Sequence, residues 1–355
     1  MRRLRPFAKT RAYFFRGWRS RSLLLAGLTF GLVLCLAVSL TLGKYPISLR
    51  EIGLVLRHGL FPNGTPYPSH LQLVVNVLFD IRAPRLIAAA VIGAALSLSG
   101  AAFQSMFVNP LVAPGILGVL PGASFGAALG MLIGNSWYEV QLLSFGGGLL
   151  AVSLAVFLAR IYNGDKLTVL ILGGIISGSL FTSLLSVVKY TADPTDQLPA
   201  IVYWLMGGLS LVDTETVACT ALPILVGIAC ILSMSRYLNA LSMGDEEAKT
   251  LGINVRVVRL CLIFVATVIS ALTVAIGGLI GWVGLVIPHI GRMLVGPNNS
   301  ILLPTTTLVG AIYLVLVDDI SRLLLNVEIP LGIITSLVGI PFFSIIMGNA
   351  KQGWK

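Results

Sequence analysis

The chain has 355 residues, of which 56% are apolar and only 11% charged, and its mean hydropathy is +0.94. A soluble domain carries about 25% charged residues, so an ordinary globular protein is excluded and a polytopic membrane protein is indicated. A formal charge of +10 points to nucleic acid only where a solvated basic domain carries it. No such stretch is present, and nucleic acid is not an expected partner.

Residues 1–21 form a basic segment, with Arg2, Arg3, Arg5, Lys9, Arg11, Arg16, Arg19 and Arg21 and no acidic residue. Lys and Arg are retained on the cytoplasmic side, so the N-terminus is expected there. The apolar run that follows exceeds the 7–15-residue core of a cleaved signal peptide and is expected to remain as the first span. A bilayer core of about 30 Å needs about 20 apolar residues per helix. Ten such runs are predicted, at 22–43, 84–107, 114–134, 139–161, 167–189, 215–235, 256–276, 279–295, 301–318 and 329–349. Residues 22–350 then form one all-α transmembrane domain of about ten helices, and 351–355 a cytoplasmic tail. The eighth run is short and Gly-rich; a half-length or broken helix is tolerated only where protein or a cavity shields its backbone, so it is expected in the interior. With this topology 17 of the 24 basic residues face the cytoplasm and 10 of the 14 acidic residues face the other side. That bias supports ten spans, a cytoplasmic (inner) membrane location and both termini in the cytoplasm.

Within the spans, small residues recur at helix-packing spacing: Gly93 with Ser97; Gly126 with Gly130 and Gly134; Gly173 and Gly174 with Ser177 and Gly178; Gly277 with Gly281. Such pairs let helices approach closely. Cys35, Cys219, Cys230 and Cys261 sit in apolar runs without metal-ligand spacing, and are expected to be buried small apolar residues. No metal site is indicated. Ionisable groups deep in a span mark ion or proton paths, and only Lys189, Arg292, Asp318 and Asp319 approach the spans, all near predicted ends. A secondary carrier, the main rival reading, lacks its relay. A membrane enzyme lacks a catalytic constellation: there is no His-Glu-x-x-His and no mid-span Asp pair. The phosphate loop Gly-x-x-x-x-Gly-Lys-[Ser/Thr] is also absent, so no catalytic residue and no cofactor is assigned to this chain.

Three stretches carry polar residues that apolar packing does not require. The first is Asp80-Ile-Arg-Ala-Pro-Arg85, followed by Gly93 to Gly100, Gln104 and Asn109-Pro-Leu-Val-Ala-Pro-Gly115. The second is the loop from Leu238 to Ile253, in which acidic residues at 245–247 suit a helix N-terminus and Gly252 suits its C-terminal cap. The third runs Gly281-Trp-Val-Gly-Leu-Val-Ile-Pro-His-Ile-Gly-Arg292, then Leu303-Pro304, Asp318 to Arg322, Glu328-Ile-Pro330 and Gly339-Ile-Pro-Phe342. With Tyr203-Trp-Leu-Met-Gly-Gly208, their order and spacing from about residue 75 onward resemble the permease subunits of type II ABC importers, which take up iron–siderophore complexes, haem, vitamin B12 and, in one branch, molybdate or tungstate.

The resemblance implies a ten-helix, vitamin B12 permease-like fold in the lipid bilayer. It implies a second copy of the chain as a homodimer partner, two ATPase subunits that carry ATP and magnesium, and a periplasmic or lipid-anchored substrate-binding protein. By position, Met243, Gly244, Asp245, Glu246, Ala248, Leu251 and Gly252 match the loop that couples to the ATPase. Arg82, Arg85 and Arg322 match arginines that pair with glutamates of the binding protein, although Asp318 lies one helical turn before Arg322 and offers it an internal partner. Asn109, Leu111, Leu167 and Thr168 match the cytoplasmic gate, with Leu167 standing where the vitamin B12 member has a hydroxyl residue. The passage is expected along the fifth span, whose apolar, Gly and Ser residues suit a complex that must slide rather than bind. An iron chelate or haem is the expected cargo. Molybdate or tungstate, to whose branch Trp204-Leu-Met-Gly and Arg292-Met-Leu-Val-Gly296 are similar, and vitamin B12 stay open as alternatives.

Overall fold

A computed structural model describes residues 18–60, 68–134, 136–162 and 166–350. The basic residues up to Arg16 and the tail 351–355, both expected in the cytoplasm above, lie outside the described residues, as does Asp165. Among the described residues every regular element is helical. In chain order these are α1 (Trp18–Thr41), α2 (Leu49–Leu60), α3 (Ser69–Asn76), a π turn (Val77–Arg82), α4 (Ala83–Met106), a 3-10 turn (Pro114–Leu117), α5 (Val119–Ile133) and α6 (Trp137–Ile161). Then come α7 (Lys166–Thr191), α8 (Gln197–Leu205), α9 (Thr214–Ser233), α10 (Ser235–Leu241), α11 (Asp245–Thr250), α12 (Val255–Gly277), α13 (Val283–Val295), α14 (Asn299–Leu323) and α15 (Leu331–Ala350).

Seven helical stretches are long and apolar enough to cross a bilayer, and three shorter apolar helices, Val119–Ile133, Val283–Val295 and Leu331–Ile345, accompany them. Together they occupy the ten predicted runs, and the all-α membrane architecture is the expected one. The third run departs from a simple span. Its first residues form the Pro114–Leu117 turn, Gly118 then reverses the chain at φ 84°, and α5 keeps only 15 residues. At 1.5 Å per residue it reaches about 22 Å, less than the bilayer core, so protein must shield its start. Helix α7 does this, because Gly174 lets it approach the Ile116 carbonyl so closely that an added Cβ would lie 2.2 Å away. The eighth run is broken as expected, with α13 limited to 13 residues behind an irregular stretch.

That irregular stretch is where three of the sequence motifs meet. The Gly208 N–H donates to the Gly277 carbonyl at 2.9 Å, Leu331 N–H to Gly207 O at 2.8 Å and Gly332 N–H to Met206 O at 3.1 Å. Backbone groups freed by the ends of α8, α12 and the start of α15 thereby satisfy one another, as non-helical backbone in a membrane requires. Gly207 (φ 75°) and Gly278 (φ 67°) adopt left-handed conformations here. Gly339 supplies the remaining space, since a Cβ on it would lie 2.7 Å from the Trp282 side chain.

Helix α4 is the centre of the bundle, and nearly all its residues are buried. Lipid is as apolar as leucine, so packing and interhelical hydrogen bonds rather than hydrophobic exclusion hold such helices together. The antiparallel helix α14 crosses α4 where Gly93 and Gly310 touch: a Cβ at Gly93 would stand 2.2 Å from Gly310 O. Four residues on, the Ser97 hydroxyl donates to Thr306 O at 2.9 Å. Gly100 packs on Gly284 of α13 in the same way, and the α5–α6 hairpin closes with Gly122 on Gly147 and Gly126 on Leu143.

Two expectations fail. Gly277 ends α12 and a Cβ at Gly281 would meet nothing within 4 Å, so these glycines are not a helix-packing pair. None of the four cysteines is fully buried, and Cys219 and Cys261 are exposed, because in a membrane the outer helix faces also accept apolar side chains. Overpacking a tight contact costs about 1–3 kcal/mol. Gly310→Ala and Gly100→Ala should therefore lower the detergent-solubilised unfolding temperature, whereas Gly146→Ala, whose Cβ meets nothing within 4 Å, should leave it unchanged or slightly higher.

Candidate functional site

Three regions collect the residues singled out from the sequence. The first is the end of the bundle that holds Arg82, Arg85 and Arg322. The first turn of α4 carries Pro84, which lacks an N–H and crowds the carbonyl four residues earlier. The π turn relieves this by wider spacing, with Ala83 N–H reaching Leu78 O, five residues back. Arg82 and Arg85 are thereby turned inward.

Arg85 Nε donates to Asp318 Oδ1 at 2.9 Å and its Nη1 pairs with Glu328 at 2.9 Å. Arg322 Nε lies 3.0 Å from Asp318 Oδ2, and its Nη2 pairs with Asp319. Arg82 donates from Nη1 to Leu40 O at 2.6 Å and from Nη2 to Tyr45 O, and the Ser39 hydroxyl donates to Asp319. Two guanidinium groups, of Arg85 and Arg322, thus face three carboxylates while Arg82 holds backbone carbonyls, joining α1, α4, α14 and the chain before α15. The arginines are only 5–8% exposed. Sequence reasoning anticipated the Arg322–Asp318 pair. It did not anticipate that all three arginines are spent inside the chain, because the π turn that rotates Arg82 and Arg85 carries no clear sequence signal.

The second region is the exposed face of α7, the fifth span. Gly115, Ile116, Gly174, Gly178, Ser179, Thr182 and Ser183 line a groove of about 490 Å³. Ser179, Thr182, Ser183 and Ser186 share this face at helical spacing and are exposed. Thr182, Ser183 and Ser186 donate to the carbonyls four residues back, at 2.8, 3.0 and 3.0 Å. The groove holds no charged side chain.

The third region is the opposite end of the bundle. Asn109 and Leu111 follow α4, and Leu111 N–H donates to Asn109 Oδ1 at 3.0 Å. Val108, just before them, holds a left-handed φ of 49°. Leu111 is exposed, Thr168 is exposed and Leu167 packs partly on the core, in the first turn of α7. The predicted short helix is α11. Gly244 enters it at φ 123° and Gly252 leaves it at φ 77°. Gly252 N–H bonds Lys249 O and Ile253 N–H bonds Ala248 O, at 2.9 and 3.2 Å, the paired closure that a left-handed glycine makes possible. Arg259 of α12 grips Asp245 with both Nη atoms, at 3.1 and 2.7 Å, and Glu246 hydrogen-bonds Lys249 and raises its pKa. Met243 and Leu251 project outward, about two-thirds exposed, while Ala248 is fully buried against the bundle.

One connection was missed in the sequence. Asn239 on α10 accepts from Asn299 N–H at 2.7 Å, and the Ser105 hydroxyl donates to Asn299 Oδ1 at 2.7 Å. These bonds tie α10 to the first turn of α14 and the last turn of α4. The clustered Asn298-Asn299-Ser300 suits a helix cap, but nothing in the sequence assigns it Asn239.

Removing one partner of a buried ion pair costs about 3–5 kcal/mol. Asp318→Asn should destabilise the detergent-solubilised chain on that scale, measured by thermal unfolding. Unchanged stability would mean that the arginines are not committed to one another.

Comparison with known proteins agrees with the motif order. The FecCD transport family matches residues 31–349. The chain is 41% identical over 333 residues to the molybdate import system permease protein of Haemophilus influenzae, covering 93% of this chain and 96% of that one. It is 33% identical to the cobalamin import system permease protein of Halobacterium salinarum, covering 90% and 94%. A solved structure of a metal-chelate type ABC transporter in an inward-facing conformation matches with a TM-score of 0.81 at 38% identity, covering 92% of this chain and 99% of that one. With the helix arrangement, the broken eighth span and the motifs all accounted for within that match, the chain belongs to the FecCD transport family.

Proposed function

We propose that the chain is the membrane-spanning subunit of an ATP-driven importer that passes a metal-containing solute to the cytoplasm between two copies of itself. The carrying observation is the hydroxyl-lined, uncharged face of α7. A Ser/Thr stripe on the outside of a membrane span suits water or another chain better than lipid. A second copy laid against it encloses a passage that binds cargo weakly enough to release it. Asn109 and Leu111 with Leu167 and Thr168 form its cytoplasmic gate.

ATP and magnesium belong to two separate ATPase subunits. The α11 region docks on them, with Met243 and Leu251 as exposed anchors, Asp245 held by Arg259, Glu246 on the outer face, and Gly244 and Gly252 setting the turns. Ala248 acts from behind by seating the helix on the bundle. A substrate-binding protein docks at the other end, where Arg82, Arg85 and Arg322 support the rim from beneath. The membrane is the cytoplasmic one, with both termini inside, as the distribution of basic residues supports.

Two cargoes are supported. The motif order and the metal-chelate type neighbour support an iron chelate or haem. The relative at 41% identity supports molybdate as the second reading. Metal analysis of the cognate binding protein decides between them, since an iron chelate leaves iron and the oxyanion leaves molybdenum; a protein carrying neither metal overturns both.

Leu251→Asp or Met243→Asp should lower ATP-dependent uptake about tenfold or more, the scale of losing an interface anchor, while membrane insertion and thermal stability stay unchanged. Normal uptake by both variants would contradict the coupling role. Ser179→Trp should block uptake without preventing ATPase association.

A further inference from the structure

A cleft of about 810 Å³ opens between the end of α6, the start of α7, α11 and the first turns of α12. Its walls are graded along the axis of α12. Arg160, Lys249, Arg256 and Arg259 line it near the helix ends, and Val156, Leu170 and Ile263 line it deeper. Ile263 stands eight residues into α12, about 12 Å below the mouth.

The charges at the mouth are not balanced among the described residues. Lys249 is paired with Glu246, and Arg259 with Asp245. Among the described residues Arg160 and Arg256 have no ion-pair partner, and both are exposed. Arg259 is nine-tenths buried with its Nε enclosed by the chain, so it stands behind the mouth and offers it no free donor. A cation cluster above an apolar slot is the complement of one amphiphile, an anionic head on an acyl chain. Basic pockets between helices at the cytoplasmic face recognise such lipids.

We propose that this cleft binds one anionic phospholipid, its phosphate held by Arg160 and Arg256 and one acyl chain lying on Val156, Leu170 and Ile263. The bound lipid fills the space beside α11 and braces the short helix against α6 and α12. The leaflet it comes from rests on the orientation proposed above; the binding itself does not.

The test is native mass spectrometry of the full-length chain in mild detergent, with phosphatidylglycerol or phosphatidylcholine supplied at equal concentration. Each basic side chain near a lipid surface contributes about fivefold in affinity, so phosphatidylglycerol should be retained about twenty-five-fold better. Arg160→Gln/Arg256→Gln should remove that preference without changing the lipid-free unfolding temperature. Equal retention of the two lipids, or a preference that survives the double substitution, overturns the proposal. Inorganic phosphate that displaces phosphatidylglycerol at millimolar concentration would make this a free-anion site and overturn the lipid assignment. Loss of ATPase co-purification in the double variant with lipid retention unchanged would assign the two arginines to the ATPase instead.

Discussion

The contact of Gly93 with Gly310 sets the register of the molecule. Because α4 and α14 are antiparallel and touch there at backbone distance, residues equally far from the crossing on the two helices meet. Arg85 and Asp318 each lie eight residues, about 12 Å, from the crossing on one side, and they form the central ion pair of the rim. On the other side Ser97 meets Thr306, and further on Ser105 meets Asn299. A shift of one turn at the crossing would leave Asp318 opposite an apolar residue. The rim at one end and the Ser105–Asn299 contact at the other thus depend on two residues without side chains.

The rim also illustrates how charge survives near a low-dielectric interior. Isolated ions there are costly, and pairing offsets that cost. Asp318, with no exposed surface, accepts a hydrogen bond from Arg85 on Oδ1, while its Oδ2 lies 3.0 Å from Arg322 Nε as an ion pair without a hydrogen bond, and Arg82 is satisfied by two backbone carbonyls. Such a cluster is a poor gripping device but a stiff support, and it positions the loops around Tyr45 and Glu328 that a partner would meet.

Hydropathy and charge made the spans, their order and the broken eighth helix legible, because each depends on runs of residues that act locally. The α11 turn was legible too, since its acidic start and Gly252 are local signals. Other features depend on pairs distant in sequence. That Gly207, Gly277 and Leu331 exchange backbone hydrogen bonds is a property of three chain segments meeting, and no side-chain pattern encodes it. Arg82 and Arg85 show the same limit from the other direction: their exposure is set by the helical phase, which the π turn changes. Ala248 looked like part of a contact loop, yet its buried methyl is what fastens that loop.

The hydroxyl stripe of α7 has a consequence for what can linger on it. Thr182, Ser183 and Ser186 have turned their protons back to their own helix, so what they show outward is oxygen lone pairs. A negatively charged solute sliding past finds few donors to hold it, and water finds acceptors to wet the surface. A passage enclosed against this face, as proposed above, would be wettable yet offer an anion little to adhere to.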